Sequence, residues 1–236
     1  MLDTDTSPQN QNWGVTGPIE IYLEVGEKRV FAGAVDWPGW SRGGKTADDA
    51  SVALFEAAPR YAAALKPARA GFSGPKSVDD FAVVARLKGD ASTEFGIPGQ
   101  PAPGDDQDLD SGELKRWVKL LRAAWAAWDN AADAAEGITL AVGPRGGGRT
   151  LVKMTTHVFE AELAYLRQLG SKPTQGEDMT VLREVALEAL QARAKNESPP
   201  NPNQVKKLWS PRYYVRRSAW HTLDHAWELE DRSRPT

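Results

Sequence analysis

The chain contains no cysteine among its 236 residues. Disulfides, thiolate metal ligands and cysteine nucleophiles are therefore excluded, and the absence is compatible with a reducing compartment. Histidine is also scarce, with three residues in the whole chain. These three imidazoles carry the strongest chemical signal in the sequence.

An excess of charge and a long apolar run are both missing as well. The formal net charge is −3 and the pI is about 5.7, so no general electrostatic attraction draws the chain to nucleic acid or to an anionic membrane. No apolar run is long enough to span a bilayer, and the polar N-terminus lacks the basic and apolar regions of a signal peptide. We therefore expect a cytoplasmic protein that binds neither membrane nor nucleic acid.

The first part of the chain has the pattern of a small α/β unit. Residues 1–16 are expected to form a disordered tail. Alternating apolar residues predict strands, and Thr46 followed by two acidic residues predicts the start of a helix. The predicted elements are strands at 19–25, 29–35 and within 40–45, a helix from 46 to about 65, and a further strand at 81–88 that could extend the sheet.

A turn and a helix start link this part to a known family. The turn is Asp36-Trp37-Pro38-Gly39, and the helix start contains Thr46, Asp49 and Ala50. In these residues the segment resembles the HicB-like fold of antitoxins and related modules, which implies a HicB-like domain at residues 17–97. No ribbon-helix-helix segment is apparent, so the resemblance does not extend to repressor activity.

Two tryptophans flank the same turn, and we expect both to be exposed. Trp37 and Trp40 could cap the core of the α/β domain or pack against the following helices. The functional alternative is that they form a face that binds a protein partner.

The character of the chain changes after a segment rich in proline, glycine and acidic residues. Residues 98–110 are predicted to be a linker between two domains. Four helical segments follow, separated by loops that contain glycine and proline, and together they favour an up-down four-helix bundle at residues 111–232. The predicted helices span about 111–136, 150–169, 178–195 and 210–232.

Two of the histidines lie one helical turn apart in the last helix. Ser210 and Pro211 are predicted to be its N-cap and first residue. Because residues i and i+4 share one face, His221 and His225 can point at a common metal ion. His157, on the second helix of the bundle, could complete the set.

Three neutral imidazoles and one open position form a catalytic type of metal site. Zinc is the favoured ion, with nickel and manganese as alternatives, and the open position would hold a water whose pKa falls towards ~7. Asp224 and Glu228 lie near the same face and are expected to orient the imidazoles as hydrogen-bond acceptors. The alternative is that each histidine is an ordinary core or surface residue.

The C-terminal half resembles the DinB-like superfamily, in which the second helix of a four-helix bundle carries one metal histidine and the last helix carries an H-x-x-x-H pair. His157, His221 and His225 match these positions. The resemblance implies a divalent metal, a homodimer and a low-molecular-weight thiol as cosubstrate of a transferase or isomerase. The surrounding residues that also match are Trp209, Arg212, Arg217, Trp220, Asp224, Trp227 and residues 230–232.

Several side chains near the histidine pair are candidates for substrate binding. Arg216 and Arg217 could bind a carboxylate or phosphate, but pairing of at least one of them with an acidic neighbour is favoured over that. Trp220 and Trp227 could line a pocket, although a packing stripe is the first interpretation of these tryptophans. The loop from Arg145 to Arg149 could bind an anion at a helix N-terminus, but a flexible loop with solvated arginines is favoured over that.

The combined prediction is an α+β protein with two domains, a HicB-like α/β domain and a DinB-like four-helix bundle. Its predicted function is that of a metal-dependent transferase or isomerase that acts on a small electrophile. The alternative is a non-catalytic protein-binding or regulatory module that uses the HicB-like domain, with the bundle as a scaffold.

Overall fold

The computed structural model describes residues 17–143, 148–172 and 178–233. The predicted tail at 1–16 lies outside the described residues, as do Arg145, Gly146 and Gly147 of the arginine-glycine loop. The described strands are β1 (Ile19–Val25), β2 (Val30–Ala34), β3 (Ser41–Gly44) and β4 (Phe81–Lys88), and the α-helices are α1 (Ala47–Leu65), α2 (Ala91–Phe95), α3 (Ser111–Ala134), α4 (Leu151–Gln168), α5 (Met179–Ala194) and α6 (Pro211–Ser233).

The four strands form one sheet in the order β3-β2-β1-β4. The first three strands form an antiparallel meander, whereas β4 returns beside β1 in the parallel direction. A parallel return requires a crossover, which contains α1. The four strands predicted from the alternation are therefore confirmed, including the extension of the sheet by residues 81–88.

Helix α1 begins where the sequence predicts. The Thr46 hydroxyl accepts a hydrogen bond from the backbone N–H of Asp49 at 3.1 Å, and the Asp49 carboxylate accepts one from the N–H of Thr46. This capping box satisfies two backbone donors that the first turn leaves unpaired. The helix packs against β2 and β3, so its apolar face closes one side of the core.

The prediction that Trp37 and Trp40 are exposed is wrong. They are 3% and 1% exposed. Trp40 stacks on Tyr61 and donates its indole N–H to the carbonyl of Leu54 at 3.0 Å, while the ring of Trp37 packs edge-on against Phe72. Both tryptophans therefore belong to the core, and neither can form a partner-binding face.

The helices α3, α6, α4 and α5 pack as a ring in that order, each contacting the next. Their bounds agree closely with the four predicted segments, and Ser210 caps α6 by accepting from the backbone N–H of Tyr213 at 3.2 Å. Helix α6 is the central element, because every residue from 213 to 223 is buried. Gly39 of the sheet turn also lies against α6, where a Cβ atom would meet Leu223 at 3.0 Å.

The proline-rich segment at 98–110 is packed against the rest of the protein. Ala102, Asp105 and Leu109 are each no more than 5% exposed, and one hydrophobic cluster includes residues from the sheet, α1 and all four helices of the ring. The two parts of the chain thus share a core. The division into a HicB-like and a DinB-like domain stays a prediction.

The short helix α2 was not predicted from the sequence. The Asp90 carboxylate caps it by accepting from the N–H groups of Ser92 and Thr93. A five-residue helix is too short to show an apolar periodicity, so only the cap could have indicated it.

Candidate metal centre

The three histidines come together between α4 and α6. The Nε2 atoms of His157 and His221 lie 3.3 Å apart, and the ring centroids of the three imidazoles are separated by 4.5 to 5.1 Å. One nitrogen of each ring lies within 4.8 Å of the other two. The helix spacing places His221 and His225 on one face of α6, and the packing of α4 against α6 adds His157.

These distances fit a single divalent metal. Two nitrogens bound at about 2.0–2.1 Å to one tetrahedral ion lie about 3.3 Å apart, which is the separation of the two Nε2 atoms. Nδ1 of His225 is engaged by Glu228 at 3.1 Å, so its Nε2 is the nitrogen left for a metal. The three side chains could therefore hold a metal ion without a change of the backbone.

The surroundings favour the neutral, metal-binding form of two of these rings. Burial lowers the pKa of His221 well below its usual value, and the neighbouring His225 and His157 lower it further. Burial also lowers the pKa of His157, with contributions from His225 and Arg149. A neutral imidazole has a free lone pair for a metal, so the cluster is prepared to bind a cation at neutral pH.

The two carboxylates expected beside the histidines have different partners. Glu228 contacts Nδ1 of His225 and also accepts from Arg232 at 3.1 Å. The hydrogen bond from His225 lowers the pKa of Glu228, so this carboxylate is ionised and can hold the ring in position. The expectation for Asp224 is wrong, because its Oδ1 accepts from Arg42 at 2.9 Å and none of its described hydrogen bonds reaches an imidazole.

The two carboxylates provide a matched test of this difference. Replacing Glu228 with alanine should weaken zinc affinity by about 10- to 100-fold, the usual cost of losing a partner that orients a metal ligand. Asp224→Asn, on the same helix and the same cavity wall, should change zinc affinity little. Competition titration with a zinc chelator measures both constants. Equal losses in the two variants would contradict a specific role for Glu228.

The histidines open into a cavity of about 1030 Å³. Its wall is formed mainly by α4, α6, the connection that precedes α4 and the residues at the end of α2, with Arg42 added from β3. A cavity of this size can admit a small organic molecule together with a cosubstrate. Besides the histidines, its charged and aromatic lining residues are Arg42, Arg60, Phe95, Arg149, Lys153, Tyr165, Trp220, Asp224, Glu228, Asp231 and Arg232.

Three of the four substrate-binding candidates do not line this cavity, and two of them, Arg216 and Trp227, are held by internal contacts. The Arg216 guanidinium is buried and is bound by Asp105 and by the carbonyls of Ala34 and Val35. Trp227 is 3% exposed and packs under the guanidinium of Arg42, 4.0 Å from its ring centroid. Their candidate roles in substrate binding are wrong, since both side chains are engaged in internal contacts. The favoured interpretations are confirmed, because Arg216 pairs with an acidic residue and Trp227 packs in the core.

The other two candidates lie closer to the histidines. Arg217 does not line the cavity; it donates to the carbonyl of Pro98 at 2.8 Å and to the hydroxyl of Tyr165 at 3.3 Å. It can therefore act on a ligand only through the cavity residues that it contacts, Tyr165 and Trp220. Trp220 does line the cavity, and its buried indole N–H has no partner among the described residues.

Sequence reasoning missed several residues of the cavity wall. Lys153 and Tyr165 lie four residues before and eight after His157 on α4, so helical spacing alone could have placed them on the same face. Arg42 gave no such signal, because it reaches the cavity from β3 and pairs with a residue 182 positions away. Arg232, which the DinB-like resemblance includes without a role, lies at the end of α6, one turn after Glu228.

No protein-family model, no curated protein and no solved structure matches this chain. The resemblances to the DinB-like and HicB-like families therefore stay predictions. Among the helices of the described residues, none combines the length and the apolar character that crossing a membrane requires.

Proposed function

We propose that this chain is a metal-dependent enzyme in which His157, His221 and His225 hold one divalent transition metal. The observation that carries the proposal is the convergence of the three imidazoles at metal-ligand spacing on the wall of a large cavity. Zinc is the preferred ion, since neutral imidazoles in a tetrahedral arrangement suit it. Nickel and manganese are the alternatives.

The reaction class that fits best is a transfer or isomerisation of a small electrophilic substrate. A divalent metal held by three neutral imidazoles supplies a Lewis acid that lowers the pKa of a water or thiol in its open position. Thiol dependence and a homodimeric state are supported by the resemblance to the DinB-like superfamily. The role of the chain is to hold the ligand set and to shape the cavity.

Individual side chains have defined parts in this proposal. Glu228, itself held by Arg232, accepts the N–H of His225 and fixes which nitrogen faces the metal. The Tyr165 hydroxyl accepts from Arg217 and can donate its own proton in a hydrogen bond to a ligand in the cavity. The side chain of Trp220 lines the cavity, and its buried N–H is unpaired among the described residues.

The test is the metal content of the purified, untagged protein after incubation with zinc and dialysis. The wild type should retain close to one equivalent, whereas the double variant His221→Ala/His225→Ala should retain none. The single variant His221→Gln conserves the volume of the side chain, so it separates the loss of a metal ligand from the loss of the fold. Circular dichroism should show native helicity in each variant.

The composition of the chain excludes competing zinc sites in this experiment. The chain contains no cysteine and no histidine outside the site, so no other nitrogen or sulfur ligand can retain zinc tightly. Wild-type protein that retains no zinc, nickel or manganese would rule out the proposed function.

A further inference from the structure

The wall of the metal cavity carries more positive than negative side chains. Five cations and three carboxylates line it, although the chain as a whole has a net charge of −3. All three carboxylates are neutralised by arginines of the same wall. The pairs are Asp224 with Arg42 at 2.9 Å, Glu228 with Arg232 at 3.1 Å and Asp231 with Arg60 at 3.0 Å.

Two cations of the wall, Arg149 and Lys153, are not paired with any of these carboxylates. The side chains of Arg149 and Lys153 make no hydrogen bond or ion pair with any described residue, and both are exposed. They lie at the start of α4, on the side of the cavity that leads to His157. Lys153 precedes His157 by four residues, which corresponds to about 6 Å along the helix axis.

The position of Arg149 is fixed by its backbone. The Arg232 guanidinium donates to the carbonyl of Arg149 at 2.8 Å and to the carbonyl of Ala141 at 2.8 Å. It thereby holds residues from both sides of the connection between α3 and α4. Gly148 permits this contact, since a Cβ atom there would lie 2.4 Å from Nη2 of Arg232. The side chain of Arg149 is thus presented to the cavity from an anchored point.

We infer that Arg149 and Lys153 bind the anionic group of a small organic ligand whose other end reaches the metal. The expected ligand is a small carboxylate or a similar organic anion, with its charge about one helical turn from the atom that contacts the metal. The charge balance supports this, because three neutral imidazoles leave the charge of the metal uncompensated and the two free cations add to it. The inference rests on the proposed metal centre and specifies its substrate class.

Thiols with and without a carboxylate test this inference on cobalt(II)-loaded protein. Coordination of a thiol to cobalt gives a charge-transfer absorption band, which reports binding without any assay of activity. 3-Mercaptopropionate should bind about tenfold more tightly than the neutral 2-mercaptoethanol, since a hydrogen bond to a charged group contributes that much. The preference should shrink as salt is added.

A matched pair of variants separates the cavity cations from overall charge. Arg149→Gln/Lys153→Gln should abolish the preference for the carboxylate thiol while the cobalt band remains. Lys115→Gln/Lys119→Gln removes two exposed cations at the same spacing on α3, away from the cavity, and should keep the preference. Equal binding of both thiols to the wild type, or a preference that survives in Arg149→Gln/Lys153→Gln, would overturn the inference and leave the metal centre intact. Failure to bind cobalt would overturn the proposed function and this inference with it.

Discussion

Replacing Arg216 with methionine should lower the free energy of unfolding by about 3–5 kcal/mol, the usual cost of breaking a buried ion pair. Arg216 and Asp105 are 5% and 1% exposed, and three hydrogen bonds of 2.8 to 3.1 Å join their charged groups. Methionine would leave the Asp105 carboxylate buried without its cation. It would also leave the carbonyls of Ala34 and Val35 without the donors that now reach them.

A less buried ion pair of the same protein is the matched control. Arg183 pairs with Asp129 at 2.8 Å, but the Asp129 side chain is 51% exposed, so water can replace the lost partner. Arg183→Met should lower the free energy of unfolding by about 1 kcal/mol or less. Urea denaturation of both variants at neutral pH measures the difference.

The double variant Arg216→Met/Asp105→Asn tests whether the two charges depend on each other for their stabilising effect. Asp105→Asn removes the carboxylate charge that Arg216→Met leaves buried without a cation. The losses of unfolding free energy in the two single variants should therefore be strongly less than additive in the double variant. Additive losses of unfolding free energy, or a loss below about 1 kcal/mol in Arg216→Met, would contradict the interpretation that this ion pair holds the sheet, the 98–110 segment and α6 together.

The ion pair of Arg216 shows where the sequence stops being informative, since the sequence favours an acidic partner for one of the two arginines without identifying the residue. Strands such as Ile19–Val25 and helices such as Ala47–Leu65 follow from alternation, apolar spacing and capping residues, all of which act between neighbours in the chain. The partner of Arg216 lies 111 residues away, in a segment whose composition is typical of a linker. No local pattern reveals that Asp105 is buried.

The histidine cluster could be anticipated because, like the strands and helices, it produces a local pattern in the sequence. The spacing of His221 and His225 is a property of one helix, and their scarcity left His157 as the single candidate for a third ligand. The same helical spacing could not distinguish Glu228 from Asp224, since both lie near the histidine face. Only the packing of Arg42 from β3 decides that Asp224 is engaged elsewhere.

The second large effect is expected at Glu162, which is 2% exposed in the middle of α4. Its carboxylate accepts from the indole N–H of Trp125 on α3 at 3.0 Å, and from the hydroxyls of Ser218 and Thr222 on α6 at 2.9 and 3.0 Å. Glu162→Leu removes the acceptor from three buried donors. The free energy of unfolding should fall by about 2–4 kcal/mol, since each stranded donor costs roughly 1–3 kcal/mol and the hydroxyls can turn to other acceptors.

Glu162→Gln should behave differently because the amide can make the same contacts. Its oxygen can accept from Trp125 and Thr222, and its NH₂ group can donate to the hydroxyl of Ser218. The substitution also removes the cost of burying a charge. At neutral pH the variant should be at least as stable as the wild type.

The pH dependence of stability separates the charge from the hydrogen bonds. Burial raises the pKa of Glu162 above its usual value of 4.5, against the smaller effect of its hydrogen bonds. The folded state therefore holds this proton more tightly than the unfolded state, so the favourable contribution is complete below pH 4.5 and is lost as the pH rises through the raised pKa. Glutamine does not titrate, so the stability of Glu162→Gln minus that of the wild type should increase from pH 4.5 upwards and then level off. Urea denaturation of both proteins across this range measures the difference, and parallel curves would show that folding leaves the pKa of Glu162 unchanged, which would contradict the prediction.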